Sequence, residues 1–285
     1  MFYPSFPSLI FCATFSTVLC QQQPTATVIP KSCFDSQADF NASFIDLYPW
    51  GTDHNGAARM NASYISISDQ TLTLTAQRVS GQAPAYSGGQ TIAIDYLSGT
   101  VSAKQNFSVA PGGGYDFTGD FQAPVAKGTW PAFWLTGVDS WPPEIDLAEW
   151  KGSGNISFNT FNTSSQVAAL NVNYADPGSF HTIKGEVRDE NGEDVSIKFY
   201  LDGSLVTTQY GKGFVGQLMY FAASMEEIRA EWNLTSAYAE RQVANGVVFF
   251  IRIIDLQMEG SSGSPGPTTN TTYSVRNLEV LSYNP

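Results

Sequence analysis

Trp141-Pro-Pro-Glu144-Ile-Asp146-Leu-Ala-Glu149-Trp150 places three carboxylates within six residues, flanked by tryptophans, in a segment otherwise suited to a strand. Side chains alternate faces along a strand, so Glu144 and Asp146 share one face while Ile145 and Leu147 take the other. Glu149, five residues after Glu144, should then point away from its partners. One extra residue at Leu147-Ala148, a β-bulge, restores it to the carboxylate face. The Glu144 and Glu149 backbones then stand about 13 Å apart, at ~3.3 Å per residue. Twist and inward-leaning side chains can shorten the carboxyl gap toward the roughly 5–5.5 Å that double displacement at a sugar carbon needs. Two other readings stay open at this point. An acidic strand face is often only a solvated one, and a hard cation could collect the three acids. Cation loops, however, bring Asp/Asn/Gly clustering that is missing here.

The neighbouring segment, Gly128-Thr-Trp130-Pro-Ala-Phe-Trp134-Leu, sets Trp130 and Trp134 on one face of a strand. Either tryptophan alone could be core. A row of indole faces beside convergent carboxylates favours a cleft that grips sugar rings.

Most of the chain from Tyr64 onward repeats the same period. Tyr64-Ile-Ser-Ile-Ser, Thr71-Leu-Thr-Leu-Thr, Thr91-Ile-Ala-Ile-Asp and Thr100-Val-Ser-Ala-Lys alternate apolar and polar residues, as half-buried strands do. Further strands are expected at 129–135, 144–149, 156–161, 180–187, 195–201, 251–258 and 273–282. Asp202-Gly203, between two apolar runs, signals a two-residue hairpin. Many short strands with Gly/Pro/Asn connections and almost no helix mean a β-sandwich or barrel in one domain. Residues 222–245, rich in Ala, Glu and Arg, read as a helix on the surface or in an insertion. Gly260–Pro267 is expected to be a loop joining two strands.

Composition narrows the function. The 285 residues carry 14 Lys+Arg against 26 Asp+Glu, a formal net charge of −12, which excludes a nucleic-acid partner. Residues 9–19 (LIFCATFSTVL) form an apolar run too short to span a bilayer. With Val18 and Cys20 at the −3 and −1 positions, residues 1–20 read as a signal peptide cleaved before Gln21. Cys12 and Cys20 leave with it, so Cys33 remains unpaired. No later run reaches spanning length, and no membrane partner is expected. Seven N-x-S/T sequons, at Asn41, Asn61, Asn106, Asn155, Asn162, Asn233 and Asn270, fit a glycosylated, secreted product, extracellular or cell-wall associated.

These residues resemble glycoside hydrolase family 16, in its fungal laminarinase-like (endo-β-1,3(4)-glucanase) branch. The Glu144-x-Asp146-x-x-Glu149 motif after the tryptophan segment carries the resemblance. Tyr96-Leu-Ser-Gly99, Phe180-His181, Phe199-Tyr-Leu-Asp-Gly203 and Tyr273-Ser-Val-Arg-Asn-Leu-Glu-Val280 extend it over about residues 45–283. It implies a concanavalin-like jelly-roll β-sandwich over residues 21–285 with a concave substrate cleft. It further implies Glu144 as nucleophile, Asp146 as its assistant and Glu149 as acid/base, with Trp130, Trp134 and Trp141 lining the cleft. The expected reaction is retaining endo-hydrolysis of β-1,3- or mixed β-1,3/1,4-glucan by a monomer that needs no cofactor and no metal. Sulfated galactans fit less well, since a −12 protein repels them.

Two departures from the family pattern stand out. A cleft His is common thirteen residues beyond the acid/base, and here that place holds Asn162, a substrate-binding candidate that cannot carry a proton. About thirty residues, 222–250, look inserted. Transglycosylation at a cell wall, or a sugar-binding sandwich with weakened catalysis, are the alternative readings. His54-Asn-Gly56 with Arg59 forms either a cleft rim or a capped turn.

Overall fold

The computed structural model describes residues 22–54, 56–87, 89–138, 140–220, 254–258 and 266–285. The signal segment, Asn233 and the expected helix and insertion at 222–250 lie outside the described residues.

Two sheets, antiparallel but for the parallel pair of Ala58–Met60 with Tyr96–Ser98, stack face to face. One, ten-stranded, runs in the order Ser204–Gly211, Val195–Leu201, His181–Asp189, Gly114–Gln122, Thr271–Ser282, Thr71–Arg78, Tyr96–Ser98 and Ala58–Met60, with two further strands beside this path. The other, eight-stranded, runs Gln166–Asn173, Asn155–Thr163, Glu144–Trp150, Thr129–Gly137, Ile254–Met258, Thr100–Ala103 and Phe44–Ile45, with Met219–Tyr220 also on Thr129–Gly137. The β-sandwich expected from the alternating pattern, with the jelly roll that the resemblance implies, is the fold observed.

The inward-facing residues of both sheets form one aromatic core. Phe121 of the first sheet meets Phe133 of the second at 4.4 Å between ring centroids, Trp150 meets Tyr273 at 5.6 Å, and Phe158 meets Phe199 at 5.5 Å. Leu72, Leu74, Ile183, Ile197 and Val275 complete it, all fully buried. The alternation read from the sequence therefore marks the buried face, and burial of these side chains supplies the main driving force.

Boundaries differ where local chemistry intervenes. Residues 91–95 form no continuous strand: Gln90–Ile92 pairs with Ala85–Ser87 in a two-stranded hairpin, and the sheet resumes at Tyr96–Ser98. Gly114–Gln122 is a central strand that periodicity did not reveal, because its sequence GYDFTGDFQ interrupts the apolar face with Gly119. Gln166–Asn173 is an edge strand, largely exposed on both faces, so it lacks any hydrophobic alternation. The Asp202-Gly203 hairpin is present, with φ of 48° and 77°, the left-handed pair that this turn requires. Cys33 is buried and free.

Candidate active site

The bulge forms where the carboxylate spacing demanded one. On one side the Glu144–Trp150 strand pairs Glu144 with Thr136, Asp146 with Trp134, then Ala148 with Phe133 and Glu149 with Ala132. On the other it pairs Glu144 with Phe161, Asp146 with Asn159 and Glu149 with Ser157. The neighbour on the Thr129–Gly137 side steps past Leu147, which is the extra residue. Leu147 and Ala148 are both fully buried. Leu147 runs into the sandwich until its Cδ2 lies 2.3 Å from where a Cβ on Gly185 would stand, so the opposite sheet needs glycine there. Two consecutive inward residues let Glu144, Asp146 and Glu149 share the outer face.

That face is closely packed. Glu144, Asp146 and Glu149 are 7%, 3% and 2% exposed. Trp141 Nε1 donates to Glu144 Oε2 at 2.9 Å, and Trp130 Nε1 donates to Glu149 Oε1 at 2.9 Å. Asn159 Nδ2 reaches both Asp146 Oδ2, at 2.8 Å, and Glu149 Oε2, at 2.7 Å. Lys151 Nζ stands 3.3 Å from Glu149 Oε2.

Burial pushes the Glu144 carboxyl well above the usual carboxylate range, and the charge of Glu149 adds to it; the Trp141 hydrogen bond and the Lys151 charge pull it back. Asp146 is raised in the same way, by burial first and then by the charges of Glu149 and Glu144, while Asn159 and Lys151 oppose the rise. Three acids crowded out of water cannot all ionise freely, so the face retains protons that solvated carboxyls would lose. The Trp141 N–H and the Lys151 ammonium are the groups that favour the charged Glu144 against this burial.

The tryptophans expected in the cleft take different roles. Trp130 and Trp134 do share the carboxylate face, but they are 9% and 2% exposed. Trp130 presents its N–H edge to Glu149, and the Lys151 ammonium sits 4.7 Å above its ring. Trp141 keeps an open face: it is 40% exposed and tilts against Phe161 at 5.9 Å. Asn162 is placed elsewhere than expected. Its Nδ2 donates to the Tyr210 carbonyl at 3.1 Å and its Oδ1 accepts from the Lys212 amide at 2.6 Å. Register explains this, because Ser157, Asn159 and Phe161 face the carboxylates and Asn162 falls between registered pairs. Asp146, implied as the nucleophile's assistant, makes its hydrogen bond among the described residues to Asn159, and the charge of Glu144 helps raise its carboxyl. Asn159 and Lys151 are the site residues that sequence reasoning missed.

The described residues on either side of position 55, 48–54 and 56–59, make contacts among themselves. Arg59 grips Asp53 through two hydrogen bonds of 2.6 and 2.8 Å, and His54 packs on Trp50 at 5.0 Å and on Tyr48 at 5.6 Å.

With this geometry in hand, comparison with known proteins is specific. The family model described as glycosyl hydrolases family 16 matches residues 53–233. A galactan endo-beta-1,3-galactanase from Flammulina velutipes is 43% identical over 257 residues, which span 90% of each chain. The endo-1,3-1,4-beta-glycanase ExsH of Rhizobium meliloti (strain 1021) is 33% identical over 123 residues, 41% of this chain and 25% of that one. Among solved structures, the laminarinase catalytic domain from Thermotoga maritima MSB8 superposes with a TM-score of 0.60 at 15% identity, covering 92% of this chain and 98% of the other. The catalytic domain of LamA from Zobellia galactanivorans gives 0.56 at 18% identity, over 86% and 92%. These two likenesses establish the fold.

Proposed function

The chain belongs to glycoside hydrolase family 16, and on that premise we propose that it is a retaining endo-hydrolase of β-1,3-linked galactan. The observation that carries the chemistry is the bulged strand holding Glu144, Asp146 and Glu149 on one face, each tied to a hydrogen-bond donor. Glu144 attacks the anomeric carbon while Glu149 gives its proton to the departing glycosidic oxygen. A glycosyl ester forms on Glu144 and the leaving chain departs as an alcohol. Glu149, now a carboxylate, takes a proton from water as that water's oxygen attacks the anomeric carbon and breaks its bond to the Glu144 oxygen, freeing the Glu144 carboxylate. Two displacements restore the starting anomeric configuration.

Asp146 and Asn159 form the support. Asn159 ties Asp146 to Glu149, and the charges of Glu149 and Glu144 hold the Asp146 carboxyl raised between them. Trp141, the exposed indole beside Glu144, offers a face on which a sugar ring can stack.

The galactan reading draws on the Flammulina velutipes relative, which aligns over nearly the whole of both chains and is named for a β-1,3-galactan. For the β-1,3- or mixed-linkage glucan expected from the sequence, ExsH, of which this chain spans a quarter, is named for a 1,3-1,4-β linkage but for no particular sugar. Export is inferred from the leader at 1–20 and the sequons, of which Asn41, Asn61 and Asn270 are exposed.

Incubation with β-1,3-galactan, laminarin and lichenan, with Glu144→Gln as control, tests the reading. Internal cleavage of galactan by the native chain alone is the expected result. Cleavage confined to the glucans would overturn the galactan assignment. Binding without cleavage of any of the three would favour a sugar-binding sandwich.

A further inference from the structure

Lys151 is the cation that the described residues bring against the acidic face. Strand alternation continues past Trp150, so Lys151, two residues beyond Glu149, returns to the same side. Its backbone is held there by Gly152. That residue has a φ of +58°, and a Cβ on it would stand 2.4 Å from the Ala126 carbonyl oxygen. The turn after the strand therefore packs tightly on the Ala126-Lys127 segment, and the lysine is directed by it.

From that anchor the ammonium makes two contacts. It stands 3.3 Å from Glu149 Oε2 and 4.7 Å from the centroid of Trp130, whose N–H edge meets Glu149 Oε1. Glu149 is thus held by an indole N–H on one oxygen, and by an amide and an ammonium on the other. Exposed ion pairs usually contribute little. This one differs because the Glu149 side chain is 3% exposed while that of Lys151 is 35% exposed, so the carboxylate has few waters left to replace a lost partner.

We propose that Lys151 is a positioning residue of the catalytic strand, whose ammonium supplies the counter-charge for a face carrying three acids. The proposal rests on the assignment of Glu144 and Glu149 given above.

The charged groups that face Glu144 are Asp146 and Glu149 from its own strand, with Lys151 following. The Thr129–Gly137 strand contributes neutral Trp130, Trp134 and Thr136; the Asn155–Thr163 strand contributes neutral Ser157, Asn159 and Phe161. Trp141 comes from the preceding loop. On Ile254–Met258, Asp255 holds the register position opposite Ala132. Lys151 lowers the proton affinity of both Glu144 and Asp146, against the effect of burial. Removing the cation therefore leaves Glu144 protonated to higher pH.

Lys151→Met and Lys151→Arg test this through two readouts. One is kcat/KM across pH on β-1,3-galactan. The other is the 1H–15N signal of the Trp141 indole, which is bonded to Glu144 and reports its ionisation without turnover. In Lys151→Met, the acid limb and the Trp141 midpoint should both move to higher pH, because the cation favours the charged carboxyl. The rate on the acid limb should drop several-fold, while the plateau changes less than about threefold. Lys151→Arg should restore the native profile. An unmoved midpoint in Lys151→Met overturns the proposal, as does a uniform loss of rate at every pH. A native chain that cuts no glycan, with a Trp141 midpoint that still moves, would sink the hydrolase reading and leave the counter-charge role standing.

Discussion

Replacing Asn159 with Ala probes the acidic face directly. One amide nitrogen bonds Asp146 and Glu149 at 2.8 and 2.7 Å, with all three residues buried. A hydrogen bond to a charged group contributes about 1.5–3 kcal/mol, and more is lost when the acceptor stays buried without a partner. Losing two such bonds should cost roughly 3–5 kcal/mol. At about 2–4 °C per kcal/mol for a chain of this size, the midpoint of thermal unfolding falls by roughly 6–20 °C.

The sign with pH follows from Asp146. Its carboxyl is already raised in the fold, and the Asn159 bond opposes the rise. Without that bond the folded-state value climbs further above the unfolded one. A raised carboxyl loses stability as pH climbs from the unfolded value through the folded one, so the deficit should widen from acid toward neutral pH. Asn159→Asp, similar in shape but an acceptor where the donor was, should be worse than Ala at pH 7. Because the acid/base loses an orienting contact, kcat should fall by up to about 10²-fold with a smaller change in KM. Calorimetry at several pH values and steady-state kinetics supply the data. A melting point within 2 °C of native, or a deficit larger in acid than at neutral pH, would refute the reasoning.

Glu144→Gln should abolish turnover yet raise the melting temperature at neutral pH, with the gain vanishing near pH 4. The folded-state carboxyl is raised, so its ionisation destabilises the fold as pH rises through that window, whereas the amide stays neutral. Trp141→Phe keeps an aromatic ring near Phe161 but removes the donor to Glu144 Oε2, so the acid limb of kcat/KM should move to higher pH; an unmoved limb would count against Trp141 as a stabiliser of the charged nucleophile. Gly185→Ala drives a Cβ to 2.3 Å from Leu147 Cδ2, where the bulge must shift. It should cost roughly 1–3 kcal/mol in denaturant unfolding and lower kcat more than it raises KM.

The reactive strand was legible because its signal is local. Parity along Glu144-Ile-Asp-Leu-Ala-Glu149 requires a bulge, and the register supplies it at Leu147. The sandwich was legible for the same reason, since alternation of apolar and polar residues marks each half-buried strand. Gly114–Gln122 and Gln166–Asn173 escaped, the first because glycine and acids break its pattern, the second because neither of its faces is buried. Trp130 and Trp134 were placed on the right face, but sequence spacing does not show depth. Their indoles are buried beneath the cleft surface, and Trp130 serves as a donor to Glu149.

Asn162 is expected to meet substrate in the place of a cleft His, and the amide that bonds the acids is Asn159. The same parity rule, carried from Asp146 across to the next strand, would have selected Asn159, provided the pairing register were known. Register between strands is set by packing and turns, which a single sequence does not display. Lys151 was overlooked because a lysine after a strand end is ordinarily a solvated charge. Its significance comes from Gly152, which turns the chain so that the ammonium meets Glu149.

The central claim is double displacement by Glu144 and Glu149 across the bulge. Proton NMR of β-1,3-galactan during the first minutes of cleavage tests it, because the anomeric signal of each new reducing end appears before mutarotation. Double displacement requires the β-anomer first, with the α-anomer growing in later. An α-anomer formed first would contradict the assignment of Glu144 as a nucleophile.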